Sequence, residues 1–275
     1  MRSANKNKKL EDLNPDAITT PPLVDTHAHI CDGVFDPDRE VVLGRAAKAG
    51  VTRIIAVGED ISDARSNIEL AGDFPILLPV AGLYPAHADA AAAEEMITFI
   101  RKHQKRLVAI GEVGLDRWIA KEEKQRKIQE EVLAAFVDLS LELDLPLNVH
   151  SRSAGRRTVE LLLQRGARRV QMHAFDGKIS AALPGVEAGY YFSMPPSLVR
   201  SRQKQKLLRH IPMECLLAET DSPVLGAQPG ERNEPANLIT AIEAIAEIKG
   251  EALDAVIAHV GRNASKLYSI GQEVR

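Results

Sequence analysis

The stretch Leu23-Val24-Asp25-Thr26-His27-Ala28-His29 decides how this chain is read. Residues 21–24 lead into a His-x-His pair. In a strand, side chains at i and i+2 point to the same face. His27 and His29 therefore offer two imidazoles to one divalent metal, and imidazole is the commonest protein metal ligand near neutral pH. A lone His-x-His is equally compatible with two ordinary histidines near a strand end. The pattern downstream decides between the two. Cys31, two residues after His29, is a candidate further donor, although a free cysteine is more often a small buried hydrophobe.

Outward from this strand, short β-rich runs alternate with helix-like stretches. Strands are expected over residues 23–30, 52–57, 76–83, 107–113, 147–150, 169–173, 190–194 and 215–219. Helical spacing fills residues 39–49, 62–72, 90–103, 121–143, 156–164, 179–188 and 201–210, with 236–249 and 252–259 closing the chain. Alternation of this kind predicts a parallel sheet with crossover helices. Eight repeats close most naturally into an α/β fold of the (β/α)8 TIM-barrel type. A doubly wound sheet is the alternative, but no G-x-G-x-x-G follows the first strand.

At 275 residues the chain accommodates one such barrel. Residues 1–20 are polar and lack the apolar core of a secretory signal. They read as a mobile leader before a single hydrolase-sized domain over residues 21–275. No apolar run approaches the roughly 20 residues that span a bilayer. Cys31 and Cys215 form no C-x-x-C pattern, so a reducing, cytoplasmic setting is expected. A net charge of −3 excludes polyanion binding by bulk charge, and nucleic-acid contact would need local basic patches. Aromatic residues make up only 4%, which argues against long stacking platforms. No membrane contact and no obligatory protein partner are indicated.

Four of the eight histidines, His27, His29, His150 and His173, fall at the C-terminal ends of expected strands. Two carboxylates join them: Glu112 near the end of the fourth strand and Asp221 after the eighth. His103, His210 and His259 lie on helices, and His87 lies in a loop. Barrel active sites form at the C-terminal face, so the six groups should converge there. An apolar strand ending in an unpaired acid or histidine would be costly. Four imidazoles and two carboxylates suffice for two divalent ions sharing one carboxylate. Glu112 is the natural bridge, because a carboxylate has two oxygens. His27, His29 and Asp221 would hold one ion, and His150 and His173 the other. Asp221 is also a candidate to take a proton from the attacking water.

These residues sit in blocks that resemble the TatD-like deoxyribonuclease family of metal-dependent, amidohydrolase-type barrels. The blocks are Val24-Asp25-Thr26-His27-Ala28-His29, Ala109-Ile110-Gly111-Glu112-Val113-Gly114-Leu115-Asp116, Leu145 through Arg152, His173-Ala174-Phe175-Asp176-Gly177, Glu219-Thr220-Asp221-Ser222-Pro223 and Arg232-Asn233-Glu234-Pro235. Asn263 through Tyr268 resembles the family's end. The resemblance implies a (β/α)8 barrel, metal-dependent hydrolysis of DNA phosphodiesters and the same six ligands. Two blocks depart from it. A Gly-x-His-Pro block reads Gly82-Leu83-Tyr84-Pro85 here, and an Asp-Tyr-Tyr block reads Asp116-Arg117-Trp118. Both line the expected substrate face, which keeps open a second reading as a hydrolase of a small-molecule or aminoacyl ester, amide or lactone.

Arg152 and Arg117 follow expected ligand positions and are suited to bidentate phosphate contact. Trp118, the only tryptophan, is placed to stack on a base or to pack on the long following helix. Lys204, Lys206 and Arg209 read as a solvated helix face. The ligand set admits Mg, Mn or Zn.

Overall fold

Strands buried on both faces are written as near-continuous apolar runs, and this chain has eight of them. The computed structural model describes residues 22–271. The strands are β1 (Leu23–Ala28), β2 (Val51–Ala56), β3 (Leu77–Ala81), β4 (Ala109–Gly114), β5 (Leu147–His150), β6 (Val170–Met172), β7 (Tyr191–Met194) and β8 (Leu216–Ala218). They pair in chain order, each parallel to the next. Closure between the first and last runs through a parallel bridge from Ala28 to Ser222. There His29 N donates to Ser222 O at 2.8 Å and Asp221 N donates to His27 O at 2.8 Å. The sheet is therefore a (β/α)8 barrel and not a doubly wound sheet. The expected leader, residues 1–20, lies outside the described residues.

Helices α1 (Arg39–Lys48), α2 (Ile61–Asp73), α3 (Ala90–His103), α4 (Glu123–Leu143), α5 (Gly155–Gln164), α6 (Ile179–Glu187), α7 (Arg202–Leu208) and α8 (Leu238–Lys249) follow the strands in turn. Their starts are written locally. Asp60 caps α2 through Ser62 N and Asp63 N, Asp89 caps α3 through Ala92 N, and Glu122 with Gln125 forms a capping box at α4. The last helix, α9 (Leu253–Tyr268), runs past the expected stop at residue 259. Gly261 does not break it, because Val256, Val260, Ala264, Leu267 and Tyr268 continue one buried face.

That extension matters for the barrel interior. Ala264, Leu267 and Tyr268 pack with Val24, Ile55, Val80 and Leu217. Arg169, just before β6, donates to Leu267 O at 2.6 Å, which fixes the end of α9 at the N-terminal mouth. At the opposite mouth several strands stop a residue or two short of their apolar runs. His29, His173 and Asp221 all lie in the loops just beyond their strands.

Candidate metal centre

The strand ends bring six side chains to one point at the C-terminal mouth. His27 comes from β1 and His29 from just after it, and their Nε2 atoms lie 3.2 Å apart. Asp221 reaches them from the loop after β8. Its Oδ1 is 3.5 Å from His27 Nε2 and 3.7 Å from His29 Nε2. Glu112, on β4, presents Oε2 at 3.6 Å and 3.4 Å from the same two nitrogens. Its other oxygen, Oε1, lies 2.7 Å from His150 Nδ1 and 2.7 Å from His173 Nε2. Those two nitrogens are 3.1 Å apart.

The first group fits a cation. Four donors around an ion with bonds of about 2.0–2.1 Å stand about 3.3 Å from one another, close to the spacing seen here. His27, His29 and Asp221 form one candidate ligand group, and His27, Glu112 and His173 form another that overlaps it. Glu112 Oε1 is buried and makes no hydrogen bond, although two ring nitrogens lie within 2.7 Å. The two ring nitrogens align on each other, while neither is aligned on Oε1. His173 Nδ1 is also buried without a partner among the described residues.

Neighbouring groups orient two of the four rings, His150 and His27. Asp116 Oδ2 lies 3.0 Å from His150 Nε2. A carboxylate only accepts, so Nε2 carries a proton held by Asp116, and Nδ1, facing Glu112, is the nitrogen a cation would take once it has displaced the proton there. Asn148 Oδ1 lies 2.9 Å from His27 Nδ1. The Asn148 amide cannot be reversed, because its Nδ2 donates to Thr26 O and to Tyr268 Oη, each at 3.0 Å. His27 Nε2 is thereby left for a cation. Sequence reasoning put the Asp116 block on the substrate face and gave Asn148 and Tyr268 no role. The one available signal was that Asn148 precedes His150 by two residues on the same strand face.

The strand ends themselves are pinned. Asp25, fully buried, accepts from Thr220 N at 2.8 Å, Thr220 Oγ1 at 2.5 Å and His27 N at 3.3 Å. Asn233 donates to Thr220 O and Val224 O, each at 2.8 Å, and so holds the Asp221 turn from the other side. Its neighbours tie this loop to the first helix. Arg232 grips Asp38 at 2.8 Å and 2.7 Å, and Glu234 is gripped by Arg45 at 2.8 Å and 2.5 Å. Close backbone packing sets β4. A Cβ on Gly114 would stand 2.0 Å from His150 O, and one on Gly111 would stand 2.7 Å from Asn148.

Protons partly stand in for cationic charge in this cluster. Burial alone would lower the His27 pKa, but Glu112, Asp221 and Glu219 hold it up to about 10. His150 is treated alike, burial being outweighed by Glu112 and Asp116, and sits at about 9. Burial and the charge on His27 push His173, stacked 3.9 Å from it, down to about 4. Burial would raise Glu112, yet the imidazoles of His173 and His150 hold it well below the carboxylate range. Metal ligation needs neutral imidazoles, so a cation would displace these protons.

A cavity of about 420 Å³ opens over the cluster, lined by His29, Tyr84, Arg152, Lys204, Asp221 and their neighbours. A larger groove of about 890 Å³ lies between α3 and α4 on the outside of the barrel. Its walls carry helix residues such as Ile97 and Val132 and no convergent donor group, so the chemistry belongs to the smaller cavity. Arg152 lines that cavity and lies over the exposed Trp118 ring at 5.0 Å. Lys121 Nζ also lies over the Trp118 ring, at 4.9 Å. Arg117 is turned away, 3.6 Å from Glu130, and lines a neighbouring surface groove with Arg156 and Lys178. Tyr84 lies 4.9 Å from the His150 ring, while His87 faces outward to Glu59 at 3.4 Å. Cys31 makes only a 3.7 Å contact from Sγ to Val57 O, and burial pushes its thiol up to about 12. It joins no donor group among the described residues. Lys206 and Arg209 are solvated as expected, but Lys204 is buried against the site.

The family model for TatD related DNase matches residues 24–269. The chain belongs to this family. Human deoxyribonuclease TATDN3 is 41% identical to it over 258 residues, covering 90% of this chain and 94% of its own. The metal-dependent hydrolase YabD of Bacillus subtilis is 32% identical over 257 residues, covering 90% and 99%. The crystal structure of YJJV, a TatD homolog from Escherichia coli, matches with a TM-score of 0.84 at 25% identity, over 90% of this chain and 98% of that one. As a TatD-family member the chain is a metal-dependent hydrolase. No helix among the described residues is long and apolar enough to cross a membrane.

Proposed function

We propose that this TatD-family chain hydrolyses DNA phosphodiesters at a site for two divalent ions. The observation that carries the reading is the division of Glu112. Its Oε2 faces His27, His29 and the Asp221 side, while its Oε1 faces His150 and His173. His27, His29 and Asp221 would hold one ion, His150 and His173 the other, with Glu112 shared; Mg, Mn and Zn all suit such a set. When bound, divalent ions polarise a phosphoryl oxygen and make water nucleophilic near neutral pH.

The protein's own groups do the rest. Asp221, at the rim of the cavity, accepts the proton of the attacking water. Arg152 binds a non-bridging phosphate oxygen and orients the diester for attack. Trp118, exposed beside Arg152, offers a ring on which a base stacks. The two cysteines are unpaired, in keeping with a reducing, cytoplasmic setting. The human relative's name, deoxyribonuclease, supports DNA as the substrate.

The test is a panel of labelled single- and double-stranded DNA with Mg²⁺, Mn²⁺ or Zn²⁺, alongside a neutral aryl ester and measured metal stoichiometry. Cleavage of DNA with about two ions per chain is expected. Turnover of the ester with none of DNA would replace this reading by that of a small-ester hydrolase.

A further inference from the structure

Lys204 is the one charged residue of α7 that its helix turns inward. It is 7% exposed, while Arg202, Lys206 and Arg209 face solvent. Its Nζ donates to Ala174 O and, at 3.4 Å, to Phe175 O. Both carbonyls belong to the loop that follows the site residue His173. This loop is stiff. The Phe175 ring is fully buried between Gly155 and Gly177, where a Cβ would come within 2.6 Å and 2.5 Å of ring carbons. Gln203 adds a further tie to the same loop, donating to Gly177 O at 2.6 Å. The ammonium is therefore held in place and cannot swing out to water.

An ammonium has three donors and no acceptor. Two are used on carbonyls. No carboxylate among the described residues lies within ion-pairing distance of Nζ, and Lys204 lines the cavity over the metal centre. A buried cation without a paired anion is costly unless the anion arrives from elsewhere. Burial lowers its pKa, and Glu219, Asp176 and Asp221 oppose that and favour the charged form. Among the described residues and apart from the site imidazoles, Arg152 is the other cationic side chain lining this cavity, and it comes from the β5 side, whereas Lys204 comes from beyond β7.

We infer that Lys204 is a phosphate-binding residue whose free donor takes a non-bridging oxygen of the substrate, so that the phosphate is held between it and Arg152. The inference rests on the phosphodiesterase reading for its substrate, while the anion site itself does not depend on turnover. A plain strut between α7 and the loop at Ala174 is the rival role.

The experiment is calorimetric binding of inorganic phosphate to the full-length, metal-loaded protein, compared with Lys204→Met, Lys204→Gln and Lys204→Arg at constant ionic strength. Metal stoichiometry is measured on each. The neutral variants should bind phosphate about tenfold or more weakly at unchanged metal content, with Lys204→Arg restoring part of the loss. Lys204→Gln, which keeps a donor for the carbonyls, serves if Lys204→Met fails to fold. Unchanged phosphate affinity, or a loss that tracks lost metal, would overturn the inference in favour of the strut. Hydrolysis of DNA and of a neutral ester by the wild type is followed in parallel. Lys204-dependent phosphate binding without DNA cleavage would leave the anion site standing and remove the deoxyribonuclease reading.

Discussion

Asp116 and His150 together make one tautomer of a residue that has two. With Oδ2 3.0 Å from Nε2, the carboxylate accepts a hydrogen bond from the Nε2–H and turns Nδ1 toward Glu112. Asp116 is itself held, accepting at Oδ1 from Trp118 N at 2.7 Å and Ile119 N at 3.0 Å. The imidazole is thus oriented before any ligand arrives.

Asp116→Ala should therefore weaken metal binding by about 10–100-fold, the usual cost of losing such an outer partner. The fold should survive. Metal titration with circular dichroism checks this, and wild-type affinity would show that His150 needs no help in orienting.

Glu112→Ala removes the only group shared by both histidine pairs. Bound metal should fall from two ions toward one or none, and turnover by orders of magnitude, in a protein that keeps its secondary structure. Elemental analysis and rate measurements on the same preparation decide the point. A folded variant with full metal and activity would make Glu112 a structural acid.

The pH response of the metal-stripped protein follows from His27, at about 10, and His150, at about 9. Both lie above the unfolded histidine value of about 6.5. Their contribution to stability is fully present below about pH 6.5 and is lost as pH climbs through 9–10. Asp25 and Glu219, each raised by burial to about 7, slope the same way from lower pH. On the acid side, the contribution of His173, depressed to about 4, is lost as pH falls from about 6.5 toward about 4, and that of Glu112, held well below the carboxylate range, is lost only at lower pH still. The melting temperature of chelator-treated protein should thus drop steeply between about pH 6.5 and 10. Metal-loaded protein should drop less, because ligation has already displaced the histidine protons. Parallel curves would contradict the proton–metal exchange.

Gly114→Ala should destabilise the fold by about 3 kcal/mol or more, since the new Cβ meets a backbone oxygen and not a flexible side chain. That oxygen is His150 O, 2.0 Å away. A denaturant midpoint within error of wild type would mean that β4 and β5 can part without penalty.

Arg152→Ala should lower DNA turnover by about tenfold or more and leave metal content unchanged. Equal loss on a neutral ester would return Arg152 to a role in holding Trp118.

The barrel and the six metal-type residues were legible in the sequence because both are local patterns. Residues 147–150 and 90–103 read as a strand and a helix from their own periodicity, and His27 and His29 share a face through two-residue spacing. Polar groups at strand ends then converge because parallel strands in a barrel all finish at one mouth. What only the tertiary structure decided are pairings between distant segments. Asn148 selects the His27 tautomer from 121 residues away. Tyr268 reaches that amide only because α9 runs to the barrel floor. Arg117 and Lys204 trade their expected places for the same reason. Whether a cation faces water, a glutamate or a metal site depends on what the neighbouring loop presents, and helical periodicity carries no record of that.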